Sequence, residues 1–223
     1  IVRRYGKEIV FVGGKTALSV ATEPIEEGIA GSDLKIIGSE WFGGDATYEN
    51  VDMLMAKESV QEADMIFGVG GGRAADCCKV LADKMGKPLF NFPTLASNCA
   101  SSTALCVMYK TDGSMAGYYY RERCCDHIFI NTKIIAESPE KLFWAGIGDA
   151  MSKEFEVKLA TRNVDLFHTP LMGQAVACAC ANPLLQYGKQ ALEDCRNNVI
   201  SNAIQETALD IIITTGIVSN LVI

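Results

Sequence analysis

The sequence predicts an α/β fold: an N-terminal domain built on a parallel sheet, followed by an all-helical C-terminal domain. Over the first 90 residues or so, short apolar runs that end in glycine or proline alternate with segments of helical spacing. Strands separated by helices of this length need crossover connections, which produce parallel sheets. From Ser138 onward the pattern is helical throughout. We therefore predict domains at residues 1–137 and 138–223.

The predicted elements follow that alternation in chain order. Strands are expected at residues 9–12, 34–37, 65–69, 89–92 and 128–130. The helices of the first domain are expected at residues 15–30, 50–63 and 73–85. The turn signal Thr111-Asp112-Gly113 separates two strand-like segments and predicts a hairpin over residues 104–120. The second domain is expected to contain helices at residues 149–161, 170–195 and from 196 to about 221.

Composition and charge limit the possible functions. With 223 residues, 49% of them hydrophobic, the chain can bury one large core or two small ones. The net charge of −7 argues against the basic face of a nucleic-acid binder, so we expect no nucleic-acid partner. No apolar run approaches the roughly 18 residues that cross a bilayer, and no secretory leader is visible, so no membrane association is expected. Nine cysteines without a C-x-x-C pair indicate reduced thiols in a cytoplasmic protein.

The strongest local signal is the segment GVGGGRAAD at residues 68–76, which follows a predicted strand and opens a predicted helix. Glycines let a backbone approach a pyrophosphate closely, and the helix N-terminus supplies free N–H donors and a positive dipole. Arg73 stands where the last glycine of the usual G-x-G-x-x-G pattern would be. The alternative interpretation is a tight strand-to-helix turn that binds nothing.

Other polar segments are more ambiguous. The loop at residues 93–103 follows a strand, where open α/β sheets bind ligands, although it equally fits an ordinary polar loop. In the segment GIGDA, Asp149 is expected at a helix start, either as an N-cap or as a metal ligand. The segment GGKT at residues 13–16 is not a P-loop, because Ile9 stands where its first glycine is required. His127 and His168 lie in no recognisable catalytic setting.

Taken in order, these segments resemble the iron-containing alcohol dehydrogenase superfamily, and within it the glycerol-dehydrogenase-like branch. The resemblance covers about residues 5–200 and is carried by FGGD (42–45), GGGRAADCCK (70–79), PTLAS (93–97), ALCVMY (104–109), NTKIIA (131–136) and AGIGDA (145–150). It implies a Rossmann-like dinucleotide-binding domain, followed by a helical metal and substrate domain. It also implies a metal-dependent NAD(P) oxidoreductase that transfers a hydride between a small alcohol or polyol and nicotinamide, in a cytoplasmic homo-oligomer.

The resemblance assigns roles position by position. Cofactor contacts would come from Gly71, Gly72, Arg73, Thr94, Ser97, Thr103, Leu105 and Tyr109. Asp149 would be a metal ligand, and Cys99 would face the substrate where glycerol dehydrogenases carry an aspartate. Cysteine lacks the charged acceptor that this aspartate offers to glycerol hydroxyls.

Three departures refine these expectations. Lys153 stands where the four-ligand branch has a histidine, so this chain resembles the branch with one aspartate and two histidines, in which zinc is more usual than iron. Those histidines are expected beyond Ile223, so the helical domain is expected to be incomplete, metal-poor and inactive as written. Gly14 replaces an aspartate of NAD-preferring members and lies beside Lys15, which makes NADP an alternative to NAD.

Two other functions remain open from the sequence. One is a dehydroquinate-synthase-like cyclase of the same architecture, which uses NAD transiently and requires basic residues for a phosphorylated substrate. Around Asp149 only Lys153 and Lys158 could serve that purpose. The other is a non-catalytic dinucleotide-binding module.

Overall fold

The computed structural model describes residues 1–221, which divide into two compact units. The first unit comprises Ile1–Thr94 and Ala104–Ile130. The second comprises Leu95–Thr103 and the chain from Asn131 onward, so the polar loop after the fourth strand belongs with the helices. The domain ranges 1–137 and 138–223 stay a prediction.

The first unit contains seven strands: β1 (Glu8–Gly13), β2 (Lys35–Trp41), β3 (Met65–Val69), β4 (Leu89–Phe92), β5 (Leu105–Tyr109), β6 (Met115–Tyr120) and β7 (His127–Ile128). Five of them form a parallel sheet in the order β2-β1-β3-β4-β7. The other two, β5 and β6, form an antiparallel hairpin. The predicted parallel sheet and hairpin are therefore confirmed.

Four helices accompany these strands: α1 (Lys15–Ile29), α2 (Tyr48–Met55), α3 (Glu58–Glu62) and α4 (Gly72–Met85). The single helix predicted at residues 50–63 is wrong, because the extended backbone of Lys57 (φ −77°, ψ 130°) separates α2 from α3. The α4 prediction is confirmed, and Gly86 ends that helix in the left-handed conformation (φ +63°) that glycine adopts without strain.

The central strands β1, β3 and β4 are buried on both faces, as their apolar sequences predict, whereas the edge strands β2 and β7 are partly exposed. Every residue of β3 is buried. Rings on one face form a continuous stack, with centroid separations of 5.9 Å for Phe11–Phe67, 4.8 Å for Phe67–Phe92 and 4.9 Å for Phe92–Phe129. This packing gives the loops at the strand ends a rigid base.

The described part of the second unit is helical, with α5 (Thr132–Ala136), α6 (Glu140–Ala160), α7 (His168–Ala179), α8 (Ala181–Arg196), α9 (Asn202–Leu209) and α10 (Thr215–Asn220). A π-helical turn, Asp210–Thr214, joins α9 to α10. The long helices predicted at 170–195 and 196–221 are each interrupted, the first at Cys180 and the second at residues 197–201. None of the described helices combines the length and apolar character that crossing a membrane requires.

Two glycines bring helices of the second unit against its polar loop. A Cβ atom on Gly146 of α6 would lie 2.0 Å from the Ala96 carbonyl oxygen, and one on Gly216 of α10 would lie 1.9 Å from Ser102 Oγ. The Ser102 hydroxyl also donates a hydrogen bond to the Ile212 carbonyl at 2.5 Å. The loop is therefore held by close contacts that leave no room for larger residues.

Asp210, in the π-helical turn, is a buried carboxyl group with an exposed fraction of 3%. Among the described residues, neither carboxylate oxygen has a hydrogen-bond partner of normal geometry. Burial raises the pKa of Asp210 from the ordinary 3.8 to about 6, and the Thr214 hydroxyl offsets part of the rise. The native state therefore holds this proton more tightly than the unfolded state. As a result, the Asp210 carboxyl group lowers the free energy of unfolding as pH rises from the ordinary pKa of 3.8 to the raised pKa of about 6.

Replacing Asp210 with asparagine is expected to raise the free energy of unfolding at pH 7 by roughly 1–3 kcal/mol, since the amide has no charge to desolvate. Near pH 4 the gain should shrink to a few tenths of a kcal/mol, because the native carboxyl group is then protonated. Urea denaturation at both pH values measures the difference. An equal gain at both would contradict the assignment of a raised pKa.

Candidate functional site

The strand order creates a topological switch point. β1 lies between β2 and β3, so the chain leaves the carboxyl ends of β1 and β3 in opposite directions. Open α/β sheets bind ligands in the crevice at this place. The Gly14 N–H donates to the Val69 carbonyl at 3.4 Å, and the Gly70 N–H donates to the Phe92 carbonyl at 3.1 Å. Both loops at the switch point are thus fixed to neighbouring strands.

Glycine is required at two positions of these loops. Gly70 has φ +145°, and a Cβ there would lie 2.9 Å from the Ala74 Cβ. A Cβ on Gly13 would lie 2.2 Å from the Val69 carbonyl oxygen. Both glycines are buried, so they let the two loops pack closely beneath the switch point. The half-buried glycines beside them, Gly14, Gly71 and Gly72, leave backbone without side chains for a pyrophosphate to approach.

The N-terminus of α4 adjoins this surface. Gly71 is the N-cap residue, and no side chain caps the first turn. The first-turn N–H groups of a helix have no intrahelical acceptor and carry the positive end of its dipole. Gly71 and Gly72 are half-buried, and Arg73 is exposed. The glycine-lined backbone and the uncapped helix start fit the pyrophosphate of a dinucleotide.

Arg73 belongs to a three-residue group that was not foreseen from the sequence. Its Nη1 lies 2.9 Å from Asp45 Oδ2, and its guanidinium lies 4.9 Å from the Tyr109 ring centroid. The Tyr109 N–H donates to the Ala46 carbonyl at 2.8 Å, which fixes the strand that carries the ring. Arg73 and Tyr109, both predicted cofactor residues, are therefore in contact. The Asp45 carboxylate holds the Arg73 guanidinium in place beside the Tyr109 ring.

The remaining predicted residues lie in both units. Thr94 is buried directly after β4, and Leu105 is half-buried on β5. Thr103 is buried in the second unit, where its hydroxyl donates to the Ala100 carbonyl at 3.3 Å. Ser97 and Cys99 are half-buried in the same loop. Their roles toward a cofactor or substrate stay predictions.

Asp149 lies in the interior of α6, which begins at Glu140. The expectation that Asp149 starts a helix, and with it the N-cap role, is wrong. Lys153 Nζ lies 3.3 Å from Asp149 Oδ1 and 3.0 Å from Glu156 Oε2. Burial lowers the pKa of Lys153, but the two carboxylates outweigh this effect and raise it overall. The Lys153 ammonium is therefore a stable counter-charge for Asp149.

The described residues do not fit a resident metal ion. No group of three histidine, cysteine, aspartate or glutamate side chains converges within residues 1–221. Protein zinc sites use at least three such ligands. Asp149, paired with Lys153, supplies one.

Lys15 and Trp41 lie together at the carboxyl ends of β1 and β2. Lys15 Nζ is 4.7 Å from the Trp41 ring centroid, and the tryptophan is half exposed. The position of Gly14 is open, because a Cβ there would meet only ordinary van der Waals neighbours. The Lys15 ammonium is thus held over an aromatic ring, and position 14 carries no acidic side chain that would repel an anion. This arrangement could bind a phosphate group.

Comparisons with known proteins agree with this fold. The family model for iron-containing alcohol dehydrogenase matches residues 1–132. The glycerol dehydrogenase of Escherichia coli is 31% identical over 201 residues, which cover 87% of this chain and 54% of that protein. Hydroxycarboxylate dehydrogenase A of Escherichia coli is 31% identical over 213 residues, covering 95% of this chain and 58% of that protein. The chain thus spans about half the length of the curated relatives it matches.

A solved structure shows the same fold. The crystal structure of glycerol dehydrogenase from Schizosaccharomyces pombe superposes with a TM-score of 0.87 at 24% identity, covering 99% of this chain and 57% of the other. The family model covers more than half of the present sequence and includes the glycine bend, residues 70–72, and the β5–β6 hairpin. The chain therefore belongs to the iron-containing alcohol dehydrogenase family.

Proposed function

We propose that the chain carries the dinucleotide-binding part of an NAD(P)-dependent dehydrogenase that moves a hydride between nicotinamide and a small alcohol or polyol. The observation that carries the proposal is the half-buried glycine backbone at the switch point (Gly14, Gly71 and Gly72), next to the uncapped N-terminus of α4. The names of the relatives, glycerol dehydrogenase among them, support the polyol class.

In this proposal the backbone N–H groups of Gly71 and Gly72 donate to the pyrophosphate. Arg73 adds a positive charge, and Asp45 keeps its guanidinium oriented. The hydroxyls of Thr94, Ser97 and Thr103, together with Leu105 and Tyr109, contact the rest of the dinucleotide. When bound, the nicotinamide supplies the hydride acceptor or donor, and the protein supplies binding and orientation.

The metal, substrate and assembly are proposed more generally. Asp149 remains the proposed ligand for a divalent metal, zinc rather than iron, and Cys99 the proposed substrate neighbour. Because the described residues do not complete a metal site, no chemical step is assigned to a metal. A homo-oligomeric assembly and a cytoplasmic location are part of the same proposal.

Fluorescence titration with NADH and NADPH tests the proposal. Both should bind, and NADPH should bind more tightly, because no carboxylate at Gly14 opposes a 2′-phosphate and Lys15 lies beside it. Lys15→Met should weaken NADPH binding by roughly tenfold and leave NADH binding unchanged. Turnover with a panel of diols and metal analysis of the same protein complete the test.

Lys35→Met is the matched control, because Lys35 is an exposed lysine at the opposite end of β2. Its affinity for both dinucleotides should equal that of the unsubstituted protein. Failure to bind either dinucleotide would overturn the proposed function. A clear preference for NADH would reject only the NADP assignment.

A further inference from the structure

One edge of β5 is turned away from its hairpin partner. The Ala104 carbonyl accepts from the Arg121 N–H at 3.3 Å, so Ala104 faces the β6 side. Because neighbouring residues of a strand point their backbone groups to opposite edges, Leu105 and Val107 present theirs to the other side. Backbone groups at a strand edge away from water require other partners.

Side chains of α4 provide such partners. Asp76 Oδ2 accepts from the Val107 N–H at 3.2 Å, and Lys79 Nζ donates to the Leu105 carbonyl. Asp76 and Lys79 also form an ion pair at 2.8 Å. Both are buried, with exposed fractions of 5% and 0%. The helix therefore contacts the backbone of β5 through a buried pair of opposite charges.

The same face of α4 makes contacts at both ends of this pair. Asp83 accepts from the Tyr119 hydroxyl at 2.5 Å and from Arg121 Nε at 3.5 Å. Arg73, at the first turn, lies against the Tyr109 ring. Residues three or four positions apart share one face of a helix. We call the set Arg73, Asp76, Lys79 and Asp83 the α4 ladder.

A buried ion pair is a poor source of stability, because the cost of desolvating two charges offsets their attraction. Its best-attested use is to fix one arrangement against alternatives. The α4 ladder can fix one arrangement in this way, because its contacts occur in a set order. Successive residues of α4 from Arg73 to Lys79 contact β5 from Tyr109 back to Leu105, so the helix and the strand run in opposite directions. A shift of the hairpin by one residue would bring the wrong backbone groups to Asp76 and Lys79.

We propose that the α4 ladder fixes the register of the β5–β6 hairpin on α4 and so positions Leu105 and Tyr109 relative to the glycine bend. Lys79 and Asp83 are then positioning residues for dinucleotide binding. The inference rests on the proposed function, since it concerns the same cofactor. It adds residues that touch the hairpin rather than the cofactor.

The experiment compares Lys79→Met and Asp83→Asn with Lys84→Met, a control on the same helix whose ammonium pairs with the exposed Asp52 at 3.2 Å. Dissociation constants are measured for NADPH and for inorganic pyrophosphate. Pyrophosphate needs only the glycine bend, whereas the dinucleotide also needs the hairpin. Both ladder variants should bind NADPH roughly three- to tenfold more weakly, with pyrophosphate binding unchanged. The control should alter neither.

Hydrogen exchange reports the hairpin directly, and the amide of Val107 should exchange faster in the ladder variants. If Lys79→Met does not fold, Asp83→Asn and Tyr119→Phe, singly and combined, give the same test through non-additive losses of NADPH affinity. Unchanged NADPH affinity, or equal loss of NADPH and pyrophosphate binding, overturns the inference alone. Absence of NADPH and NADH binding by the unsubstituted protein overturns the proposed function as well.

Discussion

Replacement of Gly146 with alanine is expected to lower the free energy of unfolding by about 3 kcal/mol. The added Cβ would lie 2.0 Å from the Ala96 carbonyl oxygen and 2.9 Å from the Ser97 Cα. Both are backbone atoms, so no side-chain rotation relieves the overlap, and α6 or the loop must move. Urea denaturation followed by circular dichroism measures the loss.

Gly148→Ala is the matched control, two residues further along α6. No heavy atom lies within 4 Å of a Cβ at Gly148. Because alanine favours the helix over glycine, this change should raise stability by about 0.5–1 kcal/mol. Equal urea midpoints for the two variants would show that α6 does not approach the loop as closely as described.

Replacement of Gly70 with alanine is expected to weaken NADPH and NADH binding at least tenfold. A residue with a side chain at φ +145° is strained by roughly 1–3 kcal/mol, and the bend would open to relieve it. Each 1.4 kcal/mol lost from binding is about a tenfold change in the dissociation constant. Fluorescence titration measures the affinity, and urea denaturation of the same sample separates binding from stability.

Gly28→Ala provides the comparison, because Gly28 lies inside α1 and a Cβ there would meet nothing within 4 Å. This variant should keep full dinucleotide affinity and gain slightly in stability. If a folded Gly70→Ala protein binds dinucleotides normally, the glycine bend is not their binding site.

Local patterns were sufficient for the strands and for the glycine bend. An apolar run such as residues 65–69, closed by glycines, fits few structures other than a buried strand. Strands that alternate with helices then permit few topologies, since crossovers between parallel strands follow strict rules. The alternation of strands and helices along the chain, and the parallel sheet of the first unit, follow from these two constraints.

Features that depend on tertiary contacts were missed. The glycines of GIGDA suggested a helix start at Asp149, but Gly146 is there so that α6 can approach Ala96. The break between α2 and α3 at Lys57 has no proline or glycine to mark it. The meeting of Arg73 with Asp45 joins distant segments, which no local pattern describes.

The α4 ladder could have been found from its spacing. Polar residues at positions 73, 76, 79 and 83 fall on one helix face, which is unusual for a helix buried next to a sheet. The neighbouring Cys77 and Cys78, on the other side of this set, are fully buried. What the spacing could not provide is the partner, because the hairpin reaches α4 only in the folded chain.

The assignment of Leu95–Thr103 to the second unit affects how the protein can be divided and synthesised. The polypeptide passes from one unit to the other at three points, so neither unit can be excised as one continuous segment. The Ser102 hydroxyl leaves the ribosome 110 residues before its acceptor, the Ile212 carbonyl. During translation, the helical unit therefore cannot complete its packing until long after this loop has emerged.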